Sequence, residues 1–415
     1  MRRAYASDFA SVGAHIAHSM RGTRACVWHA CTGTRHARPR RARVNGRGAS
    51  TMGARDDDGR GRVIDDAFDD GISSVFWARS RDDDDDDGLT TTTTLCAATS
   101  WGGDVRVYGA RARLAGQHAR LHAFKTTSPQ LCGTFVDRTH VVSGGADGAV
   151  RAFDVTSGVE RVVGAHREAV SCVEYDGENA PNMVFSASYD RTLKAWDLRA
   201  PGGGDCGRCA ASTSLPGKAF TSDVANGVLF LGASDRQILA YKTSDIISGG
   251  RPVINRQSSM RFQTRCVRGN PRGDSVVIAS VEGRVAVEYV ADDRNERERY
   301  AFKCHRKTDP ATGEVIYPVH AVSFHPLGTF ATGGGDGYVN IWDGAAKKRL
   351  FQCPRYPTSV ASLAFSPCGT MLAVASSYAQ EEREKNTPHD RLYIRVIGDD
   401  AEVTPKAAAA AAAAK

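Results

Sequence analysis

The chain has 415 residues, 41% hydrophobic and 24% charged, a composition typical of a globular protein with one large domain or two modest ones. No stretch approaches the roughly 18 consecutive apolar residues of a membrane-spanning helix, which argues against a helical membrane protein. The net charge of +7 is confined to the first 51 residues, where ten arginines and one acid give +9, while the other 364 residues carry 44 bases and 46 acids. The globular part therefore predicts no direct nucleic-acid partner and no membrane partner.

Residues 1–61 are predicted to be a basic, disordered N-terminal extension. The first 51 residues are rich in Arg and lack a periodic pattern of apolar residues, and the composition turns acidic directly after Met52. Three interpretations stay open, namely an unstructured extension or sequence upstream of a true start at Met52, an organellar transit peptide, and a functional basic arm. The eleven cysteines of the chain are mostly isolated, which predicts reduced thiols rather than a disulfide scaffold.

From residue 62 the sequence repeats at intervals near 45 residues. Each copy reads as an apolar strand, a tight turn, and an alternating strand that ends in an aromatic residue followed by Asp. Two copies end in Trp-Asp, at Trp196-Asp197 and Trp342-Asp343. Aligning the turns gives seven equivalent positions: Gly102, Asp147, Asp190, Asp235, Glu282, Asp336 and Asp390.

Repeats of this length with a Trp-Asp ending are typical of WD repeats, so we predict an all-β, seven-bladed WD-repeat β-propeller over residues 62–398. One four-stranded sheet cannot bury both of its faces, whereas a ring of seven buries a continuous core. We expect Val63-Ile64 to supply the strand that closes the ring, and Asp82–Asp87 to form a solvated loop. Residues 399–415 are predicted to be a disordered C-terminal tail.

Two histidines are spaced for a hydrogen-bond network that stiffens WD blades. His166 lies 24 residues before Asp190 and 30 before Trp196, and His305 precedes Asp336 and Trp342 in a similar way. A structural network is the preferred interpretation, and a catalytic His–Asp pair is the alternative.

No catalytic motif accounts for the chain, so it is predicted not to be an enzyme and to need no cofactor. Cys206-Gly207-Arg208-Cys209 has no second pair and lies in a glycine-rich loop, so zinc or redox chemistry there is a minor alternative and no metal site is predicted. The glycines at 333–337 lead into a strand rather than a helix, which argues against a phosphate-binding loop.

One rim of the ring is the predicted binding surface. The residue before each aligned turn position should project onto that rim, and two of these residues, Trp101 and Tyr189, are large aromatics. Arg265, Arg284 and Lys303 are expected on the same rim, where they can bind an acidic or phosphorylated peptide. The alternative is that these bases are solvated or form internal salt bridges.

Five stretches resemble one known family: 70–75, 263–266, 282–289, 300–306 and 355–366. They are similar to the WD-repeat subunit of the mitotic spindle checkpoint, the third "budding uninhibited by benzimidazole" family. The resemblance runs from about Asp69 to Val396.

This resemblance implies a non-enzymatic adaptor that binds a short acidic docking segment of the checkpoint kinases and phosphorylated Met-Glu-Leu-Thr-type repeats of a kinetochore scaffold. It implies that Arg265 pairs with the partner's glutamates, that Arg284 and Lys303 meet acidic or phosphate groups, and that Trp101 flanks the peptide. Tyr189 stands where the family usually has Trp, and Gly102 where it often has Asp. The implied location is the nucleus, the kinetochore in mitosis, and also the cytoplasm.

Two other functions compete with the checkpoint adaptor. A sister family of messenger-RNA export factors at the nuclear pore shares the stretches Gln-Thr-Arg-Cys and Phe-Lys-Cys-His-Arg, but residues 355–366 and 339–343 favour the checkpoint branch. Trp196-Asp197-Leu198-Arg199 matches the short Trp-Asp-x-Arg pattern of substrate receptors for cullin-based ubiquitin ligases, a pattern that arises easily in WD repeats.

Overall fold

The computed structural model describes residues 59–64, 66–79, 93–111, 118–199, 209–310, 313–379, 390–398 and 400–406. These residues belong to the compact unit that begins at Gly59. The predictions for residues 1–58, for Asp82–Asp87, for Cys206 and for the alanine run at 407–414 lie outside the described residues.

The described residues form seven four-stranded antiparallel sheets, called blades 1 to 7. The first strand, β1 (Arg62–Val63), belongs to blade 7. Blade 1 contains β2 (Ile72–Trp77), β3 (Thr94–Ser100), β4 (Asp104–Ala110) and β5 (Ala119–Lys125). Blade 2 contains β6 (Gln130–Phe135), β7 (His140–Gly145), β8 (Ala149–Asp154) and β9 (Glu160–Ala165). Blade 3 contains β10 (Val170–Tyr175), β11 (Met183–Ser188), β12 (Thr192–Asp197) and β13 (Cys209–Ser214).

The second half of the ring repeats this pattern with one insertion. Blade 4 contains β14 (Ala219–Ala225), β15 (Val228–Ala233), β16 (Gln237–Lys242) and β17 (Ile254–Gln257). Blade 5 contains β18 (Thr264–Gly269), β19 (Ser275–Ser280), β20 (Arg284–Tyr289) and β21 (Tyr300–Lys303), and a hairpin follows, made of β22 (Arg306–Asp309) and β23 (Gly313–Ile316). Blade 6 contains β24 (Val319–Phe324), β25 (Phe330–Gly334), β26 (Val339–Asp343) and β27 (Lys348–Gln352). Blade 7 contains β28 (Val360–Phe365), β29 (Met371–Ser376) and β30 (Arg391–Val396), completed by β1.

Helices are a minor part of this structure. They are α1 (Thr243–Ile246), α2 (Asp292–Glu298) and two 3₁₀ turns, Ser234–Arg236 and Asp400–Glu402. Within the described ranges none of them has the length and apolar character needed to cross a bilayer.

The ring closes through a strand from the N-terminal side of the chain. The inner strands β2, β6, β10, β14, β18, β24 and β28 each contact the next, and β28 contacts β2. β1 pairs antiparallel with β30, with Arg62 opposite Ile394 and Val63 opposite Tyr393. The backbone N–H of Ile64 also donates to Leu392 O at 2.8 Å, so the closing strand coincides with the expected Val63-Ile64 segment. This topology confirms the predicted seven-bladed propeller.

Each of the seven interfaces between neighbouring blades holds one cluster of buried apolar side chains. The interface of blades 2 and 3, for example, packs Val142, Val150 and Val184 around Trp196. Since both faces of every blade are covered, the second strands read as nearly continuous apolar runs rather than as alternating ones.

Residues on both sides of the predicted range 62–398 contact the ring. At the N-terminal side, the Arg60 side chain donates to Arg355 O at 2.6 Å and its carbonyl accepts from the Tyr356 hydroxyl at 2.7 Å. At the C-terminal side, Val403 is buried and Glu402 forms a bidentate ion pair with Arg395. Within the predicted tail 399–415, Val403 and Glu402 thus contact blades 6 and 7, which the composition of the segment does not reveal.

A β-bulge recurs at the second residue of every inner strand. The register of each inner strand shifts there by one residue against the second strand. A bulge turns the extra side chain out of the regular alternation. The seven bulge residues are Ser73, Leu131, Ser171, Phe220, Arg265, His320 and Ala361.

Candidate functional site

The predicted histidine network is present in blade 3. His166 Nδ1 lies 2.9 Å from Thr192 Oγ1 and 3.2 Å from Asp190 Oδ2, and its Nε2 lies 2.7 Å from Ser186 Oγ. The Trp196 indole N–H donates to the same Ser186 Oγ at 2.7 Å. These hydrogen bonds connect the turn at Asp190 to Trp196 at the interface of blades 2 and 3. The side chain of His166 is fully buried.

Blade 6 repeats the network with threonine in place of serine. His305 Nδ1 lies 2.8 Å from Asp336 Oδ1, His305 Nε2 lies 2.9 Å from Thr332 Oγ1, and the Trp342 N–H donates to that oxygen at 2.9 Å. Both histidines are thus saturated by structural partners and lie beneath the turns. These hydrogen bonds to the turn aspartates and to the blade hydroxyls support the structural interpretation.

The burial of His166 makes the stability of the fold depend on pH. Burial lowers the pKa of His166 to about 4, from an ordinary value near 6.5. The unfolded chain therefore binds the extra proton first, so this stabilising contribution falls as pH drops from 6.5 to 4. At pH 5 the loss is about 2 kcal/mol. We expect wild type to lose more stability than His166→Asn between pH 7 and pH 5, measured by urea unfolding.

The comparison needs a variant control because a second buried group acts in the opposite direction. Burial, with the charge of Asp223, raises the pKa of Glu174 to about 7, which favours the fold at lower pH. His140→Gln, at a half-exposed histidine of blade 2 outside the network, is the matched variant for the loss of one imidazole. An identical slope for wild type and His166→Asn would contradict the assignment.

The upper rim is the edge at which the inner and third strands begin and the second and outer strands end. In blades 1 to 6 the turns between second and third strands lie there, and each contains a residue with a left-handed backbone. Gly148 and Gly337 follow the acids Asp147 and Asp336 with φ of 86° and 80°. A Cβ on Gly148 would lie 2.6 Å from His166 O, so glycine is required by space as well as by φ.

In blade 1, an aspartate two residues later replaces the acid that is missing at Gly102. The hydroxyl of Ser100 donates to Asp104 Oδ2 at 2.9 Å, and the Asp104 N–H donates back to Ser100 Oγ at 3.0 Å. Asp104 therefore holds the first turn, a substitution that the aligned positions did not predict.

The structure places all five predicted peptide-binding residues on the upper rim. Trp101 follows β3, Tyr189 follows β11, and Arg265 is the bulge residue of β18. Arg284 begins β20 and Lys303 ends β21, where the two residues are direct cross-strand partners. The three bases thus come from one blade, blade 5.

The two aromatic residues differ in their surroundings. Trp101 is half-buried in blade 1 with its backbone N–H bonded to Gly71 O at 2.8 Å. The ring of Tyr189 packs edge-on against Phe220 at 5.8 Å, and Lys218 Nζ lies 5.8 Å from its centroid. Burial raises the pKa of the Tyr189 phenol, and the positive charge of Arg265 partly opposes that shift. The phenol of Tyr189 is therefore uncharged, and it lies close enough to Arg265 to interact with its positive charge.

The rim bases have loose ion-pair partners. Arg284 Nε lies 3.9 Å from Glu282 Oε2, and Lys303 Nζ lies 3.7 Å from Glu314 Oε1, with both bases more than a third exposed. Exposed pairs this long contribute little, so an incoming anion can compete for the bases. Arg265 is exposed, and its Nε donates to His320 Nδ1 at 3.2 Å.

Sequence reasoning missed two residues beside these bases. Arg306 donates to the carbonyls of Glu282 and Gly283, at 2.7 and 3.1 Å, and forms an ion pair with Glu314 at 2.8 Å. Arg306 thus holds the backbone of the turn that directly precedes Arg284. The position of His320 beside Arg265 could have been found only by recognising that both occupy the second position of an inner strand.

A cavity of about 570 Å³ adjoins the rim between blades 5 and 6. It is lined by Lys303, Cys304, His305, Arg306, Lys307, Glu314, Tyr317, Asp336, Tyr338, Asn340, Trp342, Arg349, Gln352 and Arg355. Five of these residues are Lys or Arg and two are acids, so its wall extends the positive charge of the upper rim.

The Trp-Asp-x-Arg segment lies on the opposite edge, the lower rim, where β12 ends. Arg199 is exposed and binds Asp197 through Nε at 3.0 Å and Nη2 at 2.9 Å. The cullin-ligase interpretation thus concerns a surface separate from the basic rim and stays a prediction. Cys209 begins β13, and the described residues contain no group of three or more His, Cys, Asp or Glu side chains arranged to hold a metal ion.

Comparisons with known proteins agree with this geometry. The family model "WD domain, G-beta repeat" matches residues 158–197, which contain the whole blade 3 network, and 310–343, which contain the blade 6 network except for His305. The chain is 38% identical over 350 residues to the mitotic checkpoint protein BUB3.1 of Arabidopsis thaliana, covering 83% of this chain and 95% of the relative. It is 33% identical over 318 residues to the mRNA export factor GLE2 of Chaetomium thermophilum, covering 74% and 85%. The solved structure of U3-55K superposes with a TM-score of 0.63 at 15% identity, covering 81% of this chain and 98% of that one, which shows the fold alone.

Proposed function

The chain belongs to the BUB3 family of mitotic checkpoint proteins, and from that premise we propose that it is a non-enzymatic adaptor whose upper rim binds two acidic peptides. One is the short acidic docking segment of checkpoint kinases, and the other is a phosphorylated repeat of a kinetochore scaffold. The adaptor recruits the kinase to unattached kinetochores by holding both. It acts in the nucleus, at the kinetochore in mitosis, and in the cytoplasm.

The observation that carries the proposal is the clustering of three exposed or half-exposed bases on the rim of blade 5. Arg284 and Lys303 are cross-strand partners, so their charged groups can share one doubly charged ligand. Their existing carboxylate partners lie 3.7 to 3.9 Å away and carry a single charge each. A phosphate carries up to twice that charge and three acceptor oxygens, so it binds both bases in preference.

We expect Arg284→Ala to weaken binding of a phosphorylated repeat peptide about 30-fold, since it removes one charge-assisted contact to phosphate. The unphosphorylated peptide should bind weakly both to wild type and to Arg284→Ala. Fluorescence anisotropy at low and high salt measures the effect, and the wild-type affinity for the phosphopeptide should fall as salt rises.

Arg272→Ala is the matched control, because Arg272 is an exposed arginine of the same blade at the lower rim, in the connection between β18 and β19. It should leave the affinity unchanged. Wild-type affinity in Arg284→Ala, with an unchanged unfolding midpoint, would refute the phosphate assignment.

The export factor remains the second candidate because the GLE2 relative covers most of the ring at 33% identity. An export factor would bind its acidic segment on the same rim without recognising the phosphorylated repeat. Selective binding of the phosphorylated repeat therefore supports the checkpoint adaptor. Equal binding of the phosphorylated and the unphosphorylated repeat supports the export factor.

A further inference from the structure

The hairpin between blades 5 and 6 carries an acid that faces the bases of the upper rim. Glu314 Oε2 lies 2.8 Å from Arg306 Nη1, and Glu314 Oε1 lies 3.7 Å from Lys303 Nζ. One carboxylate therefore bridges two bases, with one oxygen toward each. Lys303 is also the cross-strand partner of Arg284, with which it is proposed to bind the phosphate.

The fold of the hairpin places Glu314 beside these bases. Arg306 lies opposite Ile316, and Glu314 is two residues before Ile316 on the same strand, so Arg306 and Glu314 are diagonal neighbours on one face. The base of the hairpin also packs on the turn that precedes Arg284, where a Cβ on Gly283 would lie 3.1 Å from Ile316 Cγ2. The position of the acid is thus set by strand pairing and by contact with the binding blade.

The two ion pairs of Glu314 differ in how firmly the base is held. The Arg306 side chain is 12% exposed, and its Nε and Nη2 donate to the carbonyls of Gly283 and Glu282. The Lys303 side chain is 56% exposed, and its ammonium lies beyond hydrogen-bond distance of the carboxylate. Lys303 can therefore leave Glu314 while Arg306 keeps its contact with it.

The other acid that lines the adjoining cavity is already bonded elsewhere. Asp336 Oδ1 lies 2.8 Å from His305 Nδ1 and accepts from the Tyr338 N–H at 3.1 Å. Glu314 is thus the acid of the cavity wall that pairs with a base of the proposed phosphate site.

We propose that Glu314 is an internal competitor of the phosphorylated repeat, because its carboxylate occupies Lys303 in the free protein and must release it when the phosphate binds. The inference rests on the proposed function of Lys303. A phosphate between Arg284 and Lys303 takes the ammonium from Glu314, which stays paired with Arg306. The second negative charge of the phosphate favours this exchange more than the single charge of a carboxylate does.

Neutralising the competitor should strengthen binding. We expect Glu314→Gln to bind the phosphorylated Met-Glu-Leu-Thr repeat peptide about fivefold more tightly than wild type, since an exposed ion pair contributes up to about that factor. Glutamine keeps the size of the side chain and removes its charge. Isothermal titration calorimetry measures both affinities, and the difference between them should shrink as salt rises.

Glu298→Gln is the matched control for the change of charge. Glu298 lies in α2 of the same blade at the lower rim, and it also pairs with an arginine, Arg294, at 2.9 Å. Glu298→Gln should therefore leave the affinity for the phosphorylated peptide unchanged. An equal gain in both variants would show a general effect of net charge and would overturn the competitor role of Glu314.

A double-mutant cycle with Lys303→Ala tests whether Glu314 acts through Lys303. Lys303→Ala should weaken binding, and adding Glu314→Gln to it should then improve the affinity by less than twofold. Weaker binding in Lys303→Ala together with no gain in Glu314→Gln, or with the full gain in the double variant, overturns this inference alone. Unchanged binding in Lys303→Ala overturns the proposed phosphate site itself.

Discussion

Replacing Trp196 by alanine should lower the free energy of unfolding by about 3 to 5 kcal/mol, the range for a large aromatic side chain deleted from a core. Trp196 is 1% exposed, fills the interface of blades 2 and 3, and donates its indole N–H to Ser186. Its ring also covers Gly164 so closely that a Cβ there would lie 2.6 Å from Trp196 Cε3. A shift of the urea unfolding midpoint measures the loss.

Two variants give this prediction its contrast. Trp196→Phe keeps an aromatic ring but no N–H donor, so it should lose about half as much stability. Trp101→Ala removes a half-buried tryptophan at the upper rim and should change stability by about 1 kcal/mol or less while weakening peptide binding. Similar losses for Trp196→Ala and Trp101→Ala would show that the two indoles are equally structural.

The repeat was readable from the sequence because each blade depends on a few local rules. A turn with Asp-Gly, such as Asp147-Gly148, needs a residue that adopts positive φ, and the Trp at the end of the third strand must reach the serine or threonine of the second strand. The residues that obey these rules lie within about 35 positions of one another, so their spacing can be recognised directly in the sequence. The blade count and the closing strand followed from them.

The features that could not be predicted depend on contacts between distant parts of the chain. Val403 and Glu402 look like tail residues until Arg395 and the blade 6 cluster are placed beside them. Likewise the bulges leave no mark in composition, since residues as different as Ser73, Phe220 and Arg265 occupy them. The rim residues Arg265, Arg284 and Lys303 were found from their positions beside the turns and strand ends, and the family resemblance gave each a role, whereas His320 follows only from the register.

Arg265→Glu should weaken binding of the acidic docking peptide by at least 100-fold. The substitution removes the guanidinium fork and places a carboxylate against the acidic peptide, and the loss of one partner from a charge pair at an interface costs about 2 to 5 kcal/mol. Calorimetry at pH 7 measures the affinity. Exchanging one peptide glutamate for arginine should restore part of the binding to Arg265→Glu, because the charges are then reversed on both sides.

Arg261→Glu provides a control with the same change of net charge, four residues earlier in the exposed segment before β18. If long-range attraction to the basic rim dominated binding, both variants would lose affinity alike. If Arg265 forms a direct contact, only Arg265→Glu loses it. In cells arrested with a microtubule poison, the wild-type protein tagged at its C-terminus should form kinetochore foci that contain the kinase, and Arg265→Glu should abolish the kinase signal there, because recruitment of the kinase needs its docking segment. Nuclear-rim signal would instead favour the export factor, and organellar signal would show that the basic N-terminal segment acts as a transit peptide.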